Sequence, residues 1–144
     1  MAIIRSLRGV TPKIGKNCFI AENAVIIGDV TIGDDCSIWY GVVLRGDVNT
    51  IRIGNRVNIQ DNASVHTLYQ RSVTIIGDDV SVGHNAVVHG ARVGNDVLVG
   101  MGAVLMDNAE IADGTIIAAG AVVLSNAKLE PGVYAGVPAK KVKD

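Results

Sequence analysis

Residues 93–129 of the 144-residue chain divide into consecutive groups of six, VGNDVL, VGMGAV, LMDNAE, IADGTI, IAAGAV and VLSNAK, followed by Leu129. Each group begins with Val, Leu or Ile, its fifth residue is small or β-branched, and Gly, Asn and Asp crowd the third and fourth positions. The same period extends back to Ile14. Its nineteen aliphatic first residues are Ile14, Ile20, Ile26, Ile32, Ile38, Leu44, Ile53, Ile59, Val65, Ile76, Val82, Val88, Val93, Val99, Leu105, Ile111, Ile117, Val123 and Leu129.

This period predicts a β-solenoid. The fifth residue of one group and the first residue of the next are two apart, so both side chains point to the same side of a strand. The Gly, Asn and Asp positions suit turns, where backbone angles that branched residues avoid are needed. Strand and turn in repetition give stacked coils with an aliphatic interior. An amphipathic helix is disfavoured, because a period of six does not match 3.6 and the glycine density opposes helix.

The repeat resembles that of the hexapeptide-repeat family from residue 14 to about residue 129. The resemblance implies an all-β, left-handed parallel β-helix with a triangular cross-section, in which three groups make one coil. Residues eighteen apart then stack at about the ordinary inter-strand spacing of 4.8 Å. We expect a single domain, with coils over residues 14–134 and a tail over residues 135–144. Family members usually continue into a helix along the prism, and no such helix is expected within these residues.

Composition excludes several classes of protein. Thirteen basic and fourteen acidic residues give a net charge of −1, so no basic patch for nucleic acid or a membrane surface is expected. Apolar runs of about ten residues are too short to span a bilayer, and no signal segment is recognised, which predicts a cytoplasmic protein. Cys18 and Cys36 occupy the same inward position in consecutive coils. They are predicted to be buried, inert thiols, and a disulfide is disfavoured in the cytosol.

Three irregularities in the period mark a candidate site. If the three faces are called a, b and c from Ile14 onwards, each irregularity follows a first residue of face c. Three residues are inserted after Leu44, five after Val65, and one is missing after Val88. Random surface insertions would scatter over three faces, whereas binding sites often lie on such loops.

All three histidines of the chain lie in this region. His66 and His89 each follow a first residue of face c, so both should project from one column. His84 lies at the corner between faces b and c, on the order of 16 Å along an extended chain from His89. A metal ion binds imidazole nitrogens at about 2.0–2.1 Å. We therefore expect one metal ion held by His66 and His89 of one chain and His84 of a neighbour, in a ring of three chains.

Two charged residues are expected to support this interface. Arg45 extends the outward column of His66 and His89, and Asp61 occupies the position of His84 one coil earlier. If face c of one chain meets face b of the next, Arg45 lies near the neighbour's Asp61. An arginine–carboxylate pair there would fix the register between chains. The alternative is an ordinary solvated ion pair that contributes little.

The motifs Arg45-Gly46-Asp47, Asn58, Gln60-Asp61, His66 and His84-x4-His89 together resemble those of gamma-class carbonic anhydrases. The resemblance implies a homotrimer with a metal ion at each interface, bound by His66 and His89 from one chain and His84 from the next. It implies interface and supporting roles for Arg45, Asp47 and Asp61. Gln60 and Asn58 would hydrogen-bond the metal-bound hydroxide or the substrate. Zn²⁺ is the expected metal, although Fe²⁺ and Co²⁺ also accept three histidines.

The implied reaction is reversible hydration of carbon dioxide to bicarbonate. Three neutral imidazoles leave a fourth position on Zn²⁺, where a bound water ionises near neutral pH and the resulting hydroxide attacks carbon dioxide. The family pattern also has acidic residues that move the released proton. Here Val48 and Asn49 stand in one of those places, and residues 67–75 contain no Asp or Glu.

Two alternatives therefore stay open. One is an acyltransferase that uses acyl-coenzyme A and a histidine base, since Tyr134-Ala135-Gly136-Val137-Pro138-Ala139-Lys140 also occurs in that class. The other is a metal-stabilised trimeric scaffold or assembly protein without catalysis.

Overall fold

The computed structural model describes all 144 residues and contains twenty strands, most of them two or three residues long, and no helix. The chain winds into a parallel β-solenoid of about seven turns, the architecture of the left-handed hexapeptide β-helix, which confirms the predicted fold class. The structure contains no helix that is long and apolar enough to cross a membrane.

The strands follow the six-residue groups along the chain. They are β1 (Ile3–Arg5), β2 (Lys13–Ile14), β3 (Phe19–Ile20), β4 (Val25–Ile32), β5 (Ser37–Ile38), β6 (Val43–Ile53), β7 (Asn58–Ile59), β8 (Ser64–His66), β9 (Thr74–Ile76), β10 (Ser81–Val82), β11 (Val87–His89), β12 (Arg92–Val93), β13 (Leu98–Val99), β14 (Val104–Leu105), β15 (Glu110–Ile111), β16 (Ile116–Ile117), β17 (Val122–Val123), β18 (Lys128–Leu129), β19 (Val133–Ala135) and β20 (Lys140–Lys143).

Two sheets cover the three faces of the prism. Face b is an eight-stranded sheet, ordered β3-β5-β7-β10-β13-β16-β19-β20, in which only β20 is antiparallel to its neighbour. Faces c and a belong to one twelve-stranded sheet, because β4 and β6 are long enough to continue from face c into face a. Strand pairing also extends beyond the predicted coils: Ile3 in β1 pairs with Val25, and β20 lies within the predicted tail.

The predicted inward positions form the core. Sixteen of the nineteen aliphatic first residues are buried, and the exceptions are Ile14, Ile20 and Leu129 at the two ends. Cys36 is buried, whereas Cys18 in the first coil is only partly buried, and both thiols are free. The burial predicted for Cys18 is therefore incomplete, because no full coil lies below it. Burial raises the pKa of the Cys36 thiol, which makes it less reactive.

The corner between faces a and b explains the recurring Gly-Asp and Gly-Asn pairs. A carboxylate or amide oxygen in each coil accepts a hydrogen bond from a backbone N–H of the coil before it, with N···O distances of 2.7–2.8 Å. The acceptors are Asp34, Asn55, Asp78, Asn95 and Asp113. Glycine precedes Asp34 and Asp78 because these positions have no room for a side chain. A Cβ on Gly33 or Gly77 would overlap the oxygen from the next coil.

The three irregularities leave the stacking intact. Ile32 pairs with Ile53, Ile53 with Ile76, and Ile76 with Val93. These spacings of 21, 23 and 17 residues correspond to one coil of eighteen with three added, five added and one removed. The inserted residues are accommodated at the corner between faces c and a, beside the strands that carry two of the histidines.

Candidate metal centre

His66 and His89 lie side by side at the ends of neighbouring strands on face c. They are paired in register between β8 and β11, and their ring centroids are 5.0 Å apart. His66 Nδ1 and His89 Nε2 face each other at 3.1 Å. The regular outward alternation of the strands therefore brings these two predicted ligands together, as the sequence predicts.

A carboxylate holds the far nitrogen of each ring. His66 Nε2 lies 2.8 Å from Asp47 Oδ1, and His89 Nδ1 lies 2.9 Å from Asp107 Oδ1. An ionised carboxylate only accepts, so in the neutral rings both of these nitrogens carry the proton and donate. The two nitrogens that face each other then both present lone pairs.

Two lone pairs 3.1 Å apart repel unless a proton or a metal ion lies between them. For metal–nitrogen bonds of about 2.0–2.1 Å, two ligands at a tetrahedral ion are separated by about 3.3 Å. A carboxylate on the second nitrogen is also the usual support for a histidine that binds a metal. The donor set and its spacing therefore fit two ligands of a divalent metal ion.

Asp47 links His66 to Arg45. The Arg45 guanidinium donates to Asp47 Oδ2 at 2.6 Å, while Asp47 Oδ1 faces His66. Partial burial favours a raised pKa for Asp47, but the hydrogen bonds from His66 and Arg45 outweigh it, and the pKa lies below its ordinary value. Asp47 is therefore ionised at neutral pH and suited to accept from the His66 ring.

Asp107 contacts His89, and the sequence analysis did not predict this contact. Its carboxylate accepts from Ser72 Oγ at 2.6 Å as well as from His89. Burial again favours a raised pKa, yet the hydrogen bonds from Ser72 and His89 hold the pKa of Asp107 below its usual range. The available signal was its position two residues after Leu105, the first residue of face c in the coil above His89.

The third histidine belongs to a separate part of the surface. His84 Nδ1 lies 3.2 Å from Asp61 Oδ1, which leaves Nε2 free. A surface groove of about 290 Å³ is lined by Trp39, Asn58, Gln60, Asp61 and His84. The structure thus brings four predicted site residues together here, apart from the column on face c.

Trp39 restricts what Asn58 can do in this groove. The indole Nε1 donates to Asn58 Oδ1 at 2.6 Å, so the acceptor end of this amide is already occupied. Its NH₂ group is the part left to face a ligand. Asn58 is therefore suited to donate a hydrogen bond to an oxygen of a bound molecule.

One chain carries two incomplete halves of the predicted site. No group of three His, Cys, Asp or Glu side chains within the chain could hold a metal ion. Arg45 is bonded to Asp47 and Asp61 contacts His84, so the predicted pair between Arg45 and a neighbouring chain's Asp61 stays a prediction.

Comparison with known proteins agrees with this fold. The family model "Bacterial transferase hexapeptide (six repeats)" matches residues 11–46 and 90–125, and "Hexapeptide repeat of succinyl-transferase" matches residues 73–106. A carbonic anhydrase of Geobacillus kaustophilus is 51% identical over 143 residues, which cover 99% of this chain and 78% of that protein. Gamma carbonic anhydrase 2 of Arabidopsis thaliana mitochondria is 52% identical over 106 residues, 70% of this chain. That match spans only 38% of the plant protein.

A solved structure also matches along nearly the whole chain. A Bacillus cereus protein described as a candidate acetyltransferase superposes with a TM-score of 0.97 at 40% identity, covering 99% of this chain and 83% of that one. The chain belongs to the hexapeptide-repeat family and, within it, to the proteins that resemble gamma-class carbonic anhydrases.

Proposed function

We propose that this protein is a metal-dependent gamma-class carbonic anhydrase that hydrates carbon dioxide reversibly to bicarbonate at the interfaces of a homotrimer. The observation that carries the proposal is the pair of facing nitrogens on His66 and His89, each ring held from behind by a carboxylate. The carbonic anhydrase from Geobacillus kaustophilus supports the reaction class, because the similarity covers 99% of this chain.

The proposed metal is Zn²⁺, with Fe²⁺ or Co²⁺ as alternatives that accept the same ligands. His66 Nδ1 and His89 Nε2 of one chain and His84 Nε2 of the next would hold it. When bound, such an ion supplies a Lewis acid that lowers the pKa of a coordinated water to near neutrality. Asp47 and Asp61 would keep the rings of His66 and His84 in the tautomers that leave their metal-binding nitrogens free.

The groove beside His84 would receive the small molecule. Gln60 and Asn58 line it together, and the NH₂ group of Asn58 is free to donate because Trp39 occupies its oxygen. Hydrogen-bond donors at this position would orient an oxygen of carbon dioxide or bicarbonate. The groove has room for such a small molecule.

Exposed apolar side chains support assembly through faces b and c. Leu98, Met101 and Ile116, on or beside face b, are 45%, 57% and 42% exposed, and Leu124 after the last strand of face c is 48% exposed. Leu98 and Ile116 are paired on neighbouring strands, and adjoining exposed apolar side chains are typical of an interface. Because the two halves of the site lie on different parts of one chain, a closed ring of three would complete every site.

Complementation between two defective chains tests this proposal. His84→Ala removes one half-site, and the double variant His66→Ala, His89→Ala removes the other. Neither variant alone should bind metal stoichiometrically or hydrate carbon dioxide in a stopped-flow assay. Mixed trimers should regain one complete interface each, with both metal and activity. Mixed trimers without metal, or a His84→Ala protein that keeps full metal, would contradict the intersubunit site.

Two alternative functions predict different experimental results. The likeness to the Bacillus cereus protein favours acetyl transfer as the alternative reaction, and product formation from acetyl-coenzyme A with no metal bound would support it. The absence of Asp and Glu from residues 67–75 favours a non-catalytic scaffold. Full metal occupancy with no hydration above the buffer rate would support that reading.

A further inference from the structure

The loop inserted after Val65 and the shortened corner after Val88 are joined by hydrogen bonds between buried polar groups. Thr74 is fully buried; its Oγ1 donates to the His66 carbonyl oxygen at 2.7 Å and accepts from the Gly90 N–H at 2.9 Å. One hydroxyl therefore ties the end of the five-residue insertion to both histidine strands.

Ser72 forms a second connection from the same loop. The loop folds back so that Leu68 and Ser72 form an isolated antiparallel bridge, and the Leu68 N–H donates to Ser72 Oγ at 3.0 Å. Ser72 is 4% exposed and donates its own proton to Asp107 Oδ1 at 2.6 Å. The insertion thus delivers a buried hydroxyl to the carboxylate that contacts His89.

A glycine at the shortened corner after Val88 leaves the space for this contact. Gly90 stands at the corner with a φ of +63°, and a Cβ there would overlap Ser72 Oγ and Asp107 Oδ1. The shortened corner and its glycine therefore let Ser72, Asp107 and His89 meet.

The fold itself does not need a carboxylate at this corner. The equivalent position, two residues after the first residue of face c, is uncharged in every other coil. The equivalent residues are Gly28, Gly46, Thr67, Gly90 and Ser125. The carboxylate of Asp107 occurs only in the coil directly above His89, within 2.9 Å of its Nδ1.

We propose that Asp107, clamped by Ser72, is a positioning residue that keeps the proton of His89 on Nδ1 and its Nε2 directed at the metal position. This inference rests on the proposed function, since it assigns a role toward the metal ion. The same Asp107 oxygen receives both the Ser72 hydroxyl and the His89 N–H, so the carboxylate is held in one rotamer. A ligand ring fixed in this way loses less freedom on binding and is a stronger base.

Zinc affinity of the assembled protein, measured by competition with a chelator, tests the clamp. Asp107→Ala should weaken zinc binding by roughly 10- to 100-fold, the range expected for a residue that supports a ligand. Asp107→Asn should lose less, because its Oδ1 still accepts from His89, and Ser72→Ala should also lose less. Asp113→Asn is the matched control, because Asn55 and Asn95 fill the same ladder position naturally.

A second readout separates positioning from simple structural support. In metal-free protein, ¹⁵N NMR should show His89 protonated on Nδ1 in the wild type and in Asp107→Asn. Asp107→Ala should show a mixture of tautomers, even though its solenoid stays folded by circular dichroism. A purely structural Asp107 would change the unfolding temperature and leave the tautomer alone.

The outcomes distinguish this inference from the proposed function. If the wild type binds zinc and Asp107→Ala binds it as tightly as Asp113→Asn, the positioning role of Asp107 is wrong, but the metal site is still supported. An unchanged His89 tautomer in Asp107→Ala would also overturn that role. If the wild type binds no zinc, the proposed function fails, and the role of Asp107 toward a metal fails with it.

Discussion

At the scale of single residues, the inward positions tolerate a narrow set of side chains. The column before the first residues of face b contains Cys18, Cys36, Val57, Val80, Val97 and Thr115. Thr115 is fully buried and its Oγ1 has no hydrogen-bond partner. A buried hydroxyl without a partner costs about 1–3 kcal/mol.

Thr115→Val should therefore stabilise the protein. Valine continues the column and removes the unpaired hydroxyl, so the free energy of unfolding should rise by about 1 kcal/mol. Urea unfolding of the metal-free protein measures the change. The reciprocal variant Val97→Thr, one coil away, should be destabilised. Equal stability of Thr115→Val and the wild type would mean that the hydroxyl finds a partner in water.

At the scale of structural elements, the corners have different tolerances for a side chain. Gly90 and Gly102 both have a positive φ, +63° and +68°, but only Gly90 has close neighbours where a Cβ would be placed. The pair therefore separates backbone strain from steric overlap at the corner beside His89.

Gly90→Ala should destabilise the protein by about 1–3 kcal/mol more than Gly102→Ala, because it adds overlap with Ser72 and Asp107 to the same backbone strain. It should also weaken zinc binding, because the added methyl group displaces Ser72 and Asp107 beside His89. Thermal unfolding and chelator competition on both variants check this. Equal effects of the two substitutions would show that the loop moves aside freely.

The strands and loops also show which features of the fold the sequence could predict and which it could not. The six-residue period identified Ile26, Leu44 and most other core residues, because the alternation of side chains along a strand is enough to decide which ones point inward. It located the irregularities, whose strand pairing follows the predicted spacing. It could not identify the contact of Ser72 with Asp107, which depends on how the inserted loop folds back. The pairing of Val88 with Leu105, at a spacing of 17 residues, follows from the missing residue and was predictable.

The candidate site was predictable to a similar extent. His66 and His89 could be paired from their equal positions after first residues of face c. The hydrogen bond from Trp39 to Asn58 could not be predicted, because it depends on side-chain rotamers on neighbouring coils. The assignment of His66, His84 and His89 to one metal stays a prediction, since it involves two chains.

At the scale of the whole molecule, proton release should limit catalysis. All three histidines of the chain belong to the proposed site, and residues 67–75 contain only Tyr69 and Arg71 as ionisable groups. Phenol and guanidinium groups are poor proton acceptors at neutral pH. Efficient proton transfer near pH 7 needs a group whose pKa lies close to that value.

The rate of carbon dioxide hydration should therefore depend on the buffer. At fixed pH and ionic strength, raising the concentration of imidazole should increase kcat severalfold until it saturates, because imidazole accepts the proton directly. Stopped-flow measurement with zinc-loaded protein tests this. A kcat that stays high and constant at low imidazole would reveal an internal proton acceptor that this account lacks.

In the proposed trimer, metal ions lie between chains, each bound by imidazoles from two of them. Native mass spectrometry of the zinc-loaded protein tests it most directly, because it counts chains and ions in the same particle. Each chain has a mass of 15.0 kDa. We expect one species of three chains with three zinc ions, and His84→Ala trimers without zinc. A monomer, or a trimer that carries no zinc, would contradict the account.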